Sequence, residues 1–162
     1  MRVSQFLSDQ HVAFEEMVHP PAYTSQKLAR FLRISGRQVV KSILLKGPGG
    51  FFLAVLPAAQ LIDLPRLSEQ MGSAICLATV DELYERFPDC EWGALMPFGR
   101  LYGMATVLEA SIPLDATIVF EAQQHAVAIK MQCRDYVHLE HPGRLFFALE
   151  RIKPEHPRPQ AG

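Results

Sequence analysis

Val3, Phe6 and Leu7 recur at helical spacing and predict a short amphipathic helix at the start of the chain. Ala13 to Val18 reads as a strand closed by His19-Pro20-Pro21, and Thr24 is placed to cap a second helix. Leu28, Phe31 and Leu32 would form the buried stripe of that helix, with Gly36 ending it. Val39 to Lys46 and Phe51 to Leu56 are apolar, β-favouring runs on either side of Gly47-Pro48-Gly49-Gly50, the pattern of a hairpin. Asp63 can cap a third helix with Leu64, Leu67 and Met71 inward and Gly72 just past its end. After a strand at Ala74 to Leu77, the capping-box pattern Thr79-Val80-Asp81-Glu82 opens a helix that Pro88 stops. Leu101 to Leu108, Thr117 to Glu121 and His125 to Met131 read as strands, with Ser111-Ile112-Pro113 in a connection and Asp135 capping a last short helix. Hairpins mixed with helices, in place of regular β-α-β alternation, predict an α+β domain with a mixed, mostly antiparallel sheet.

Composition narrows the class. With 162 residues, 49% hydrophobic and 20% charged, the chain fits one domain, residues 1–150, followed by a Pro-rich tail at 151–162 expected to be disordered. A formal charge of −1 gives no global signal for DNA or a membrane. Cys76, Cys90 and Cys133 share no metal-type spacing and suit reduced thiols. The first ten residues lack the apolar core of a signal peptide, and Pro57 cuts the apolar run Phe51 to Leu56 well short of a membrane span. A cytoplasmic location is expected. Phosphate-loop, dinucleotide-binding and Gly-x-Ser-x-Gly patterns are missing, which removes the familiar nucleotide and serine-hydrolase templates.

Four features carry candidate chemistry. The loop Glu91-Trp92-Gly93-Ala94-Leu95-Met96-Pro97-Phe98-Gly99 holds two glycines and a proline, a composition that suits exposing main chain to a ligand or, equally, making a tight apolar turn. Between Glu16 and Asp63 there is no acidic residue, yet the interval holds Lys27, Arg30, Arg33, Arg37, Lys41 and Lys46. Lys27, Arg30 and Arg33 step by three along the second helix as a basic ridge, which reads as a phosphate-binding face or a solvated one. Lys41 shares a strand face with Val39, Ile43 and Leu45, so its ammonium must pair, reach an edge or line a pocket. His125 falls in register with Val127, Ile129 and Met131, as a core histidine or one that binds substrate or water. No metal site is expected: His138 and His141 have no further ligand spaced to join them, and His19 is distant in sequence.

The ordered set Val39-Val40-Lys41-Ser42-Ile43-Leu44-Leu45-Lys46, Asp63-Leu64, Gly93 to Gly99 and His125 to Met131 resembles the YbaK/prolyl-tRNA synthetase-associated editing domain family over roughly residues 1–150. The resemblance implies a curved, barrel-like mixed sheet with flanking helices. It also implies hydrolysis of the ester of mischarged aminoacyl-tRNA, typically tRNA for proline carrying alanine or cysteine, by a freestanding protein without metal or cofactor. Carried onto this chain, Lys41 matches the lysine that holds the terminal nucleotide, Gly93 to Pro97 the Gly-x-x-x-Pro loop, and His125 a histidine present in some branches. Tyr23, Thr24, Ala94, Pro97, Phe98 and Gly99 are then expected around the substrate, and Lys27, Arg30, Arg33, Arg37 and Lys46 along the tRNA. Ala122-Gln123-Gln124 stands where the family often has a glycine-rich turn, which leaves the amino acid removed open. The other readings are a non-catalytic module that binds tRNA or a synthetase, and a small-ligand regulatory domain.

Overall fold

The computed structural model describes residues 2–22, 24–91 and 94–150, so the expectations for Tyr23, Gly93 and the tail fall outside the described residues. The chain opens with helix α1 (Val3–Asp9), strand β1 (Phe14–Val18) and helix α2 (Ser25–Leu32). The expected hairpin follows as β2 (Val40–Gly47) and β3 (Gly50–Pro57), paired in register from Val40↔Pro57 to Gly47↔Gly50. That register leaves Pro48 and Gly49 as the turn, and Gly50 takes a φ of 112°. Only glycine adopts such a value readily. Then come β4 (Gln60–Ile62), α3 (Leu64–Met71), β5 (Cys76–Leu77) and α4 (Val80–Arg86). A 3-10 turn (Gly99–Tyr102) leads into β6 (Ala105–Glu109), β7 (Thr117–Glu121) and β8 (Val127–Gln132). The described chain ends with α5 (Cys133–Glu140), β9 (Gly143–Leu145) and β10 (Ala148–Glu150).

Strands order as β5-β2-β3-β6-β9 in one sheet, β1-β8-β7 in a second and β10-β4 in a third. Among the described residues only β3 with β6 and β6 with β9 pair in parallel between strands, so the mixed, mostly antiparallel α+β architecture is as expected. The two larger sheets meet at a parallel bridge between Val39 and Val119, and among the described residues no continuous ladder closes a barrel. The largest core cluster fills the space between them, with Val40, Val55, Met96, Phe98, Phe120, Ile129 and Tyr136.

Helix caps follow the sequence: Thr24, Asp63 and Thr79 each accept a main-chain N–H, and Thr79 with Glu82 forms the full capping box. Elsewhere the elements shift. Helix α2 stops before Gly36, because Arg33 takes the left-handed conformation that closes it. Its buried face is Leu28 with Ala29, packed on the small residues Ala22, Ala58 and Ala128, while Phe31 is exposed. At 100° per residue Ala29 and Leu32 lie to one side of Leu28, whereas Phe31 lies to the other. Met71 is likewise exposed at the end of α3. Residues 101–104 form the 3-10 turn and its exit through left-handed Gly103, so strand β6 begins only at Ala105. His125 precedes β8 instead of starting it, and α5 begins at Cys133 with Gln132 in the cap position, so Asp135 lies in its first turn.

Candidate functional site

The turn between β7 and β8 is where the chemistry-bearing segments meet. His125 is buried there, and two stretches distant in sequence are bonded to the main chain of the turn. Ala22 N–H donates to the His125 carbonyl at 3.1 Å and His19 N–H to that of Ala126 at 3.0 Å, which brings the segment preceding Thr24 alongside. His125 N–H donates to Glu91 Oε2 at 3.0 Å, and Glu91 N–H to the Gln123 carbonyl at 2.9 Å. The residue that opens the Gly93 loop is therefore tied to the His125 turn. Lys41 approaches from the third side. Strands β2 and β7 run parallel at the Val39–Val119 bridge, and Lys41 and Glu121 each lie two residues beyond it in the same direction. Glu121 Oε2 is in turn 3.2 Å from His125 Nδ1, a charge contact without the alignment of a hydrogen bond.

Lys41 is half-buried, and its Nζ donates to the carbonyls of Ala58 at 3.3 Å and Gln60 at 2.5 Å. The ammonium is thus held beside the 58–60 turn that connects β3 to β4. Beyond that turn opens a cavity of about 540 Å³, with Arg37, Gln60, Ser111, Thr117 and Glu150 among its polar lining.

The 94–99 segment differs from the expectation of an exposed main chain. Ala94, Met96, Pro97, Phe98 and Gly99 are all buried. Phe98 makes edge-on ring contacts with Phe6, Phe120 and Tyr136 at centroid distances of 5.6, 5.8 and 5.2 Å, a core position and not a pocket rim. The Pro97 carbonyl accepts the Tyr136 hydroxyl at 2.6 Å, and Gly99 N–H donates to Thr106 Oγ1 at 3.2 Å. The Phe98 ring and the Gly99 N–H are thus engaged in packing and hydrogen bonding. Ala94, whose N–H closes a turn on the Glu91 carbonyl at 2.9 Å, is the described loop residue nearest in sequence to the His125 tie.

Of the basic residues, Lys27, Arg30, Arg33 and Arg37 are exposed on and just after α2, with Arg33 displaced from the helical ridge by its left-handed backbone. Thr24 is exposed at the head of the same helix, its hydroxyl accepting Lys27 N–H at 3.1 Å. Lys46 lies apart from them on β2 and is paired. Its Nζ lies 2.9 and 3.0 Å from the two Glu82 oxygens, which neutralise it and raise its pKa. Among the described residues no group of His, Cys, Asp and Glu is arranged to hold a metal, and no helix is long and apolar enough to cross a membrane.

Burial pushes the Glu121 carboxyl up to about 7, with Glu91 raising it further and His125 opposing. A carboxyl raised on folding holds its proton longer in the native state, so this contribution to stability is complete below the unfolded value and is lost as pH rises through about 7. Thermal melts from pH 5 to 8 should show the wild type losing roughly 2 kcal/mol relative to Glu121→Gln. Parallel pH profiles for the two proteins would show that the shift is not expressed.

The model of the aminoacyl-tRNA editing domain matches residues 19–139, a span containing Lys41, Glu91 and His125. Among curated proteins, the proline–tRNA ligase of Kosmotoga olearia is 32% identical over 76 residues, covering 46% of this chain and 13% of the ligase. That of Thermosipho africanus is 30% identical over 74 residues, covering 45% and 13%. The chain thus matches about an eighth of these ligases' length. Among solved structures, the hypothetical protein APE2540 superposes with a TM-score of 0.83 at 16% identity, covering 92% of this chain and all of that one. A candidate trans-editing enzyme for prolyl tRNA synthetase superposes with a TM-score of 0.78 at 18% identity, covering 91% and 95%.

Proposed function

Because the chain belongs to the aminoacyl-tRNA editing domain family, we propose that it is a trans-acting hydrolase that cleaves the ester of mischarged aminoacyl-tRNA in the cytoplasm, with tRNA for proline carrying alanine or cysteine as first candidates. The observation that carries this reading is the convergence on the His125 turn of the segment before Thr24, the residue opening the Gly93 loop and the strand end bearing Lys41. An aminoacyl ester is already activated, so its hydrolysis needs an oriented water more than a strong base. In this scheme Lys41 holds the 3′-terminal nucleotide, main chain at Gly93 comes close to the ester because that residue has no Cβ, and the ribose hydroxyl helps place the water. His125, paired with Glu121, supplies a hydrogen-bonding group at the same place. No metal or cofactor enters the scheme.

A panel of tRNAs mischarged with alanine, cysteine or serine, followed for release of the amino acid, tests the proposal and identifies the substrate. Pocket differences of a methylene or hydroxyl correspond to about 1–3 kcal/mol, so rates should separate clearly across the panel. Intact ester across the whole panel would sink the hydrolase reading.

The exposed cations Lys27, Arg30, Arg33 and Arg37 favour one second reading, a module that binds tRNA without cleaving it. In either case Arg30→Ala should weaken tRNA binding and lower the slope of log affinity against log salt by about 0.7–0.9 for the lost phosphate contact. A slope equal to that of wild type removes Arg30 from the interface. Equal binding of charged and uncharged tRNA with no hydrolysis selects the module.

A further inference from the structure

We propose that Glu91 is a positioning residue, whose carboxylate fixes the His125 turn in place relative to the start of the 94–99 segment. The inference rests on the editing reading for its functional consequence, but its structural part stands on geometry alone.

Glu91 bonds in three directions. Its N–H donates to the Gln123 carbonyl at 2.9 Å, its Oε2 accepts the His125 N–H at 3.0 Å, and its carbonyl accepts the Ala94 N–H at 2.9 Å. The main-chain bond and the side-chain bond grip the same turn two residues apart, so that turn cannot slide or rotate about a single point. Gln123, whose carbonyl takes the first of these bonds, has a φ of 69° and is buried, a conformation that a glycine would take more cheaply. Its amide side chain compensates by accepting Val3 N–H at 3.1 Å and donating to Asp89 Oδ2 at 2.9 Å. The stretch from Asp89 to Glu91 thus secures both the side chain and the main chain of the turn.

The contact with His125 N–H is charge-assisted, the kind of bond that holds geometry strongly. It is also unusual in its members, since Glu91 is exposed and His125 is buried. An exposed carboxylate is ordinarily solvated and costs little to replace. Here it reaches inward to a main-chain donor beside the Glu121–His125 pair, with the His19 main chain packed on the far side through Ala126. Replacing it should misplace His125 with little effect on the core, because Glu91 itself is exposed.

Glu91→Ala and Glu91→Gln separate the possibilities, since glutamine keeps a carbonyl acceptor at the same reach. With mischarged tRNA as substrate, Glu91→Ala should lower kcat about tenfold with KM changed less than about twofold, whereas Glu91→Gln should remain within about threefold of wild type. Amide exchange followed by NMR gives a readout that does not depend on catalysis: exchange at His125 should be about tenfold faster in Glu91→Ala than in Glu91→Gln. Wild-type exchange at His125 in Glu91→Ala overturns the proposal, and so does an equal loss of activity in both variants, which would assign the effect to charge. Should the wild type cleave no mischarged tRNA, the editing reading fails and the exchange comparison alone decides the tie. If Glu91→Ala does not fold, Glu91→Asp, too short to span the gap, takes its place in both measurements.

Discussion

Lys41→Ala is expected to lower kcat/KM for release of the amino acid by about a hundredfold, the loss that follows from removing a charged hydrogen-bond partner of the bound terminal nucleotide. The expectation follows from where the ammonium is held. Lys41 follows the Val39–Val119 bridge, on the strand end that runs alongside Glu121, and its Nζ is anchored by the carbonyls of Ala58 and Gln60. Two carbonyl acceptors hold the ammonium in a defined place, which a group that binds a phosphate or a ribose requires. They also supply the rival explanation, that Lys41 is only a tie between β2 and the 58–60 turn. The rival predicts a different pattern. Losing the tie alone should lower stability by about 1–2 kcal/mol and leave hydrolysis within a few fold. Measuring both the melting temperature and the deacylation rate of Lys41→Ala decides between them, and a normal rate with a lowered melting temperature would return Lys41 to structure.

The parts of the fold that sequence made legible are those governed by local chemistry. Thr24, Asp63 and Thr79 cap as expected, and the hairpin across Pro48-Gly49 pairs as its glycines and flanking apolar runs require. What was illegible depended on tertiary contact. The three-residue strands β4, β9 and β10 carry too little periodicity to be seen, and they exist because Gln60 to Ile62 finds Ala148 to Glu150 and because β9 finds β6. Phe31 was expected inside on its spacing, but the neighbours that bury α2 are alanines and valines that face Leu28 and Ala29. At the site, Lys41 and His125 carried signals as polar groups in apolar strands. Glu91, Glu121 and Gln123 carried almost none, since their roles arise from bonds between segments more than thirty residues apart or across a turn whose shape was unknown. One signal was present: Glu121 and His125 are four apart on either side of a turn where glycine would be the ordinary choice.

The second large effect concerns Gly99, and it is an effect on stability. A Cβ on Gly99 would sit 2.6 Å from Thr106 Oγ1, 2.9 Å from the Met104 carbonyl and 3.0 Å from that of Ala105. Two of these are main-chain atoms at the start of β6, and the third cannot step aside easily, because the Thr106 hydroxyl donates to Glu140 Oε1 at 2.7 Å while accepting Gly99 N–H. Glu140 also accepts Arg100 N–H at 3.0 Å, and Tyr136, one turn earlier on α5, holds the Pro97 carbonyl. Any shift that makes room for a methyl group therefore breaks bonds of α5 to this loop as well as disturbing β6. Overpacking of this kind costs about 1–3 kcal/mol, and a broken buried bond adds about 1 kcal/mol. Gly99→Ala should accordingly lose about 3 kcal/mol, a fall of roughly 10 °C in Tm for a domain of this size. Gly36→Ala is the internal comparison: its Cβ would meet only Ala59 Cβ at 3.9 Å, ordinary contact, and the variant should match or slightly exceed wild type. Equal melting temperatures for the two variants would mean that the close approach at Gly99 relaxes without resistance, and the segment before β6 would then be a compliant turn instead of the rigid end of the loop that begins at Glu91.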